Sequence, residues 1–201
     1  MSIEASSLIF SVSNTLRNML SEFLKIREED ILLDSPGELE PMPDNGLSLF
    51  LYKISENPSL KNQDFITERY INPVHLRNPP LALDLFYLII PFGNAETRQI
   101  ILEKVMQLFH DFPILDKSLL SDDLLNSENH EIKILLNEIT LDDVNKIWSL
   151  FPNKPYRLSI SYLITPLLIP SSRTTERLIS RVISKESHHY IKQEGDNNKE
   201  R

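Results

Sequence analysis

Residues 78 to 93 run Asn-Pro-Pro-Leu-Ala-Leu-Asp-Leu-Phe-Tyr-Leu-Ile-Ile-Pro-Phe-Gly, and no other stretch restricts the fold as strongly. In an extended chain successive side chains point to opposite faces, so Leu81, Leu83, Leu85, Tyr87 and Ile89 share one side and Ala82, Phe86, Leu88 and Ile90 the other. Both sides are apolar, and Pro79, Pro80 and Pro91 stand only at the ends. That pattern predicts the central strand of a sheet covered on both faces. Asp84 breaks it, and a carboxylate there needs a partner, because burying an unmet charge is costly. Arg157, the cation in an otherwise apolar or neutral strand segment, is the expected partner.

Around this strand the chain reads as one α+β domain, a mixed and mostly antiparallel sheet packed with about three helices, over residues 1–170. Leu8, Val12, Leu16, Met19, Leu20 and Phe23 recur at helical spacing and predict a first helix packed on the protein's own sheet. Ile31–Leu33 suits a short edge strand, and Leu47–Ile54, after Asp44-Asn45-Gly46, a longer one. Between Ser55 and Asn78 nothing is periodic; so long a connection marks a candidate contact surface, with Asn57, Pro58, Leu60 and Asn62 as possible interface residues.

Asn94 can cap a helix that carries Ile101, Val105, Leu108, Phe109 and Phe112 on one stripe and ends before Pro113. Residues 113–130 show no period and are expected to be a mobile acidic surface loop that holds at most a short helix. Glu131–Ile139 reads as a strand. Thr140-Leu-Asp-Asp143 fits a capping box, with Asp143 in the usual place of Glu or Gln, and opens a helix that packs Trp148. Tyr156 to Ile169 reads as a long final strand that presents Arg157 to the sheet. Residues 174–184 suit either a helix or a returning strand, and the strand is preferred for their β-branched content. Residues 171–184 are then a possible strand-forming arm, with Leu178 and Val182 as further interface residues, and 185–201 a polar tail expected to be disordered.

Catalytic motifs are missing. With four glycines, at 37, 46, 93 and 195, the sequence has no P-loop, dinucleotide fingerprint or nucleophile elbow. His110 and Asp111 are adjacent and so lie on different helix faces, and His188-His189 lacks a third metal ligand in its polar surroundings. No catalytic, cofactor-binding or metal-binding residue is therefore expected. The absence of cysteine suits a reducing cytosol, and no apolar run is long enough to span a bilayer, so a soluble cytoplasmic protein without membrane insertion is expected. A net charge of −8 argues against nucleic acid as a partner.

In order, Leu49-Phe-Leu-Tyr52, Glu56-Asn-Pro-Ser-Leu-Lys-Asn62, Pro79-Pro-Leu-Ala-Leu-Asp-Leu-Phe-Tyr87, Ile147-Trp148 and Pro155-Tyr-Arg-Leu-Ser-Ile-Ser-Tyr162 resemble the cap, or tail-terminator, proteins of extracellular contractile injection systems. These systems are phage-tail-like particles. The resemblance spans about residues 5 to 170 and is most specific in the Pro-Pro-Leu-Ala-Leu-Asp and Tyr-Arg-Leu-Ser segments. It implies a structural subunit that forms a homohexameric ring on an inner tube protein and a sheath protein and stops their polymerisation. Two other readings remain open: a small hydrolase centred on Asp84, and a monomeric adaptor that binds peptide strands.

Overall fold

The computed structural model describes residues 7–38, 44–61, 66–68, 75–172 and 174–176. In chain order they form helix α1 (Leu8–Leu24), strands β1 (Ile31–Leu32), β2 (Leu47–Glu56), β3 (Ile66–Glu68), β4 (His75–Arg77) and β5 (Leu81–Pro91), and helix α2 (Ala95–Asp111). There follow β6 (Ile114–Leu115), α3 (Asp122–Asn126), β7 (Ile132–Leu136), α4 (Leu141–Ser149), β8 (Ile160–Ile169) and β9 (Thr174–Glu176). Six strands form one mixed sheet in the order β1-β2-β5-β8-β7-β6; β1 runs parallel to β2 and every other pairing is antiparallel.

The two-faced pattern of β5 places it inside this sheet, between β2 and β8. On one face Leu83, Leu85, Tyr87 and Ile89 join Val12, Leu16 and Leu20 of α1, Ile101, Val105 and Phe109 of α2, and Leu124 of α3 in the main core. On the other, Leu88, Ile90 and Phe92 pack beneath Trp148 of α4. The protein is a single α+β domain with helices on both sides of the sheet.

Helix ends follow local chemistry. The Asn94 side chain accepts from the Thr97 N–H at 2.8 Å, and Thr140 and Asp143 complete both halves of the expected capping box. Gly46 has a φ of 103°, and an added Cβ would lie 2.1 Å from the Asp30 carbonyl oxygen, so only glycine fits the turn into β2.

Three expectations need correction. Residues 113–130 are not a surface loop: Leu115, Leu120 and Leu124 are buried, and the Asn129 side chain both donates to the Leu168 carbonyl and accepts from the Leu168 N–H, each at 2.8 Å. An amide used in this way stands in for a strand partner along the end of β8. The stretch 55–78, which lacks periodicity, contributes β3 and β4, which build a second sheet with β9 in the order β3-β4-β9. Regular strand structure in β8 begins only at Ile160, so Arg157 sits in the irregular segment before it. Within the arm, 174–176 form a strand paired in the same chain with β4. Residues 177–184 and the tail 185–201 lie outside the described residues.

Candidate functional site

Asp84 meets neutral donors instead of a cation. The pairing of β5 with β8 runs Leu83 with Leu167 and Leu85 with Ile164, so Thr165 and Pro166 together oppose Asp84. This bulge also explains how a proline is tolerated inside a sheet. It turns the Thr165 hydroxyl onto Asp84 Oδ1 at 2.5 Å. Asn57, just past the end of β2, donates from Nδ2 to the same oxygen at 2.8 Å and to Thr165 Oγ1 at 3.1 Å. The expected Asp84–Arg157 pair does not form. The Arg157 guanidinium lies 6.0 Å from the centre of the Phe92 ring, and Phe92 is eight residues along the chain from Asp84. At 3.3–3.4 Å per residue that separation is about 27 Å.

Asn57 is therefore built into the fold. Its N–H donates to the Ala82 carbonyl at 2.9 Å, and its Oδ1 accepts from the N–H groups of Ser59 and Leu60 at 3.0 and 3.1 Å. One side chain ties the turn at 57–60 to the Asp84 bulge. Pro58 is exposed and Leu60 half-buried at that turn, while Asn62, Leu178 and Val182 lie outside the described residues. Among the described residues the groups that meet Asp84 are Asn57 and Thr165, neither of them a carboxylate or a histidine. Among the described residues no group of three or more His, Cys, Asp or Glu could hold a metal ion.

Two further sets of polar side chains are paired within the core, whereas Asn14 Oδ1, Arg17 Nε, Ser121 Oγ, Trp148 Nε1 and Ser159 Oγ are buried without a hydrogen-bond partner. Tyr87 and Ser13 share a hydrogen bond of 2.7 Å between β5 and α1, and burial pushes the Tyr87 hydroxyl up to about 12, against a weaker opposing pull from the Ser13 bond. Tyr52, Ser161 and Asn137 form a triangle with sides of 3.0 to 3.2 Å beside α4, which links β2, β8 and the chain leaving β7. His110 and His130 are exposed. No helix is long and apolar enough to cross a membrane among the described residues.

What the fold leaves uncovered is apolar surface. α4 covers Leu88, Ile90 and Phe92, but Phe86 and Leu163, lower on the same face, are only half-buried, and Leu135 beside them is exposed. Around β7, Phe112 (47%), Ile114 (40%), Leu135 (43%) and Leu136 (50%) all reach solvent. Between the C-terminal ends of α1 and α2, a groove of about 510 Å³ is lined by Met19, Phe23, Leu108, Phe112 and Leu119. The apolar stripe of α2 places Phe112 inside, and its spacing alone does not show that the helix ends beside the sheet edge. Pro113, which follows Phe112 and cannot donate a backbone hydrogen bond, was the available sign.

Comparison with known proteins puts this surface in context. The family model described as the Pvc16 N-terminal domain matches residues 11–181. Among solved structures, the sheath/tube terminator of the PVC extracellular contractile injection system, in its extended state, superposes with a TM-score of 0.66 over 93% of this chain, at 17% sequence identity. The tube-terminating cap of the anti-feeding prophage superposes with a TM-score of 0.60 over 88% of this chain, also at 17% identity. The chain spans 65% and 60% of the length of those two proteins. No curated protein sequence matches it. The chain belongs to the Pvc16 N-terminal domain family.

Proposed function

We propose that this protein caps a contractile injection particle, closing the end of the inner tube and sheath as a homohexameric ring and stopping their polymerisation. The observation that carries the proposal is the fold, shared over 93% of the chain with a sheath/tube terminator. The arrangement of the protein agrees with an assembly role. Asp84, Tyr87 and Tyr52 use their polar groups internally, whereas part of the exposed apolar surface lies at the end of α2 and along β7. A stack of rings stops growing when its last ring offers one binding face, and contacts weak per subunit become strong when six act together. Residues 177–184, beyond β9, serve in this reading as an arm that strengthens ring contacts, and the assembled particle is cytoplasmic, with the tube and sheath proteins as direct partners.

The test is deletion of the chain from the producing cell, followed by measurement of particle length and end structure by electron microscopy. Overlong, open-ended or unstable tubes and sheaths are expected. Particles of normal length with closed ends would overturn the proposal.

A further inference from the structure

Half of the outer edge of β7 is open, because Pro113 lacks an N–H and the chain just before it, opposite Leu136, is still helix α2. Asn137 donates its backbone N–H to the Ser161 carbonyl at 2.9 Å, so alternate residues 133 and 135 direct their backbone groups to β8, while 132, 134 and 136 direct theirs outward. On that outer side the Ile134 N–H is met by the Pro113 carbonyl at 2.8 Å. The return bond from the Ile134 carbonyl would need an N–H at position 113, and proline has none. β6 is thereby held to two residues, and the outward backbone groups of Leu136 meet no partner among the described residues. Side chains frame the gap: Leu135 on one face of the strand, Leu136 on the other, with Phe112 and Ile114 flanking Pro113. An exposed apolar edge of this kind is a template for an added strand.

We propose that this edge receives residues 177–183 of a neighbouring copy of the chain; the inference rests on the ring reading above and names the surface that takes up the arm. Charge and pattern select the occupant. Asp111, Glu131 and Glu138 stand near the edge in sequence against Lys133, whereas the segment Arg177-Leu-Ile-Ser-Arg-Val-Ile183, between Glu176 and Glu186, carries two cations and no acid. Laid out as a strand, Leu178 and Val182 share one face and Ile179 and Ile183 the other, which matches an edge that offers leucine on both faces. β-branched residues at 179, 182 and 183 favour the extended form. A donor segment and an unlike acceptor edge on every copy make a head-to-tail contact, the kind that closes into a ring.

The chain has no cysteine, so introduced thiols report without background. Two full-length chains with different tags, one Glu138→Cys and the other Ser180→Cys, are mixed under assembly conditions and oxidised. The expected product is a disulfide dimer that carries both tags. Adding Val182→Pro to the arm should lower its yield about tenfold or more, the effect of losing one or two backbone hydrogen bonds. A chain with both cysteines should link into ladders of oligomers. An internal disulfide in that chain at high dilution would show pairing within one copy and overturn the proposal. So would a yield insensitive to Val182→Pro while circular dichroism shows both chains folded. Rings visible by electron microscopy without the crosslink would overturn this inference and leave the ring reading standing; neither rings nor crosslink would overturn both.

Discussion

Tyr87 and Ser13 give a stability test whose two single substitutions should not cost the same. The hydroxyls are 2.7 Å apart, Tyr87 is 1% exposed and Ser13 7%, and Ser13 Oγ also donates to the Ile9 carbonyl at 3.2 Å. With the serine proton directed to Ile9, Tyr87 is the donor of the shared bond. Tyr87→Phe removes a hydroxyl and leaves Ser13 with a partner, a loss of about 1 kcal/mol. Ser13→Ala leaves a phenolic O–H buried without an acceptor, which costs about 2 kcal/mol, within the range for an orphaned buried donor. The double substitution should cost about as much as Tyr87→Phe alone, so the two sites should be coupled by roughly 1–2 kcal/mol. Urea denaturation of the four proteins measures this directly. A Ser13→Ala loss no larger than that of Tyr87→Phe, or additive losses, would refute the assignment of the donor.

The same pair predicts an alkaline response. The Tyr87 hydroxyl is pushed up to about 12 in the folded protein from its ordinary value of 10.0. Between these values the unfolded chain has released the proton while the folded one still holds it, so stability falls as pH rises. The contribution is fully present below pH 10 and lost by about pH 12, about 3 kcal/mol in all. Since lysines also titrate there, the observable is the difference between wild type and Tyr87→Phe. Their stability curves should converge and then cross as pH rises from 10 to 12, and parallel curves would refute the burial argument.

Three further substitutions test particular features of the fold. Gly46→Ala should destabilise by about 2 kcal/mol or more in thermal or urea unfolding, because its Cβ would meet the Asp30 carbonyl at a φ that side chains rarely adopt. Arg157→Ala should change stability by less than about 1 kcal/mol, since among the described residues the guanidinium meets an aromatic ring at 6.0 Å and no carboxylate. Asn57→Ala should cost about 2 kcal/mol or more, since it takes a hydrogen bond from the Asp84 carboxylate; the reverse ranking would restore the Asp84–Arg157 pair.

Local rules made several elements legible from the residues alone. The two-faced apolar run fixed β5 inside the sheet, since both of its sides demand cover. Asn94, Thr140 with Asp143, and Pro113 marked helix boundaries because capping and proline chemistry act within a few residues. The assembly family, too, was visible in short segments of β2, β5 and the approach to β8. The leucines of 113–130 were different: they are buried at irregular spacing, so no period announces them, and only packing against α1 and the end of β8 brings them into the core.

The partner of Asp84 shows where sequence reasoning stops. That the carboxylate needed donors followed from its neighbours alone, because charge inside an apolar strand must be met. Which donors meet it depends on the register of β5 against β8, on two residues bulging at Thr165–Pro166, and on where β2 ends. Asn57 and Thr165 are 108 positions apart in the chain, and no local pattern connects them. The open edge of β7 has the same origin: Pro113 is plain in the sequence, but its missing N–H matters only because the tertiary structure sets it opposite Ile134. Residue chemistry thus determined which groups needed cover or a partner, and the long-range pairing of strands decided which of them found one inside the protein and which were left at its surface.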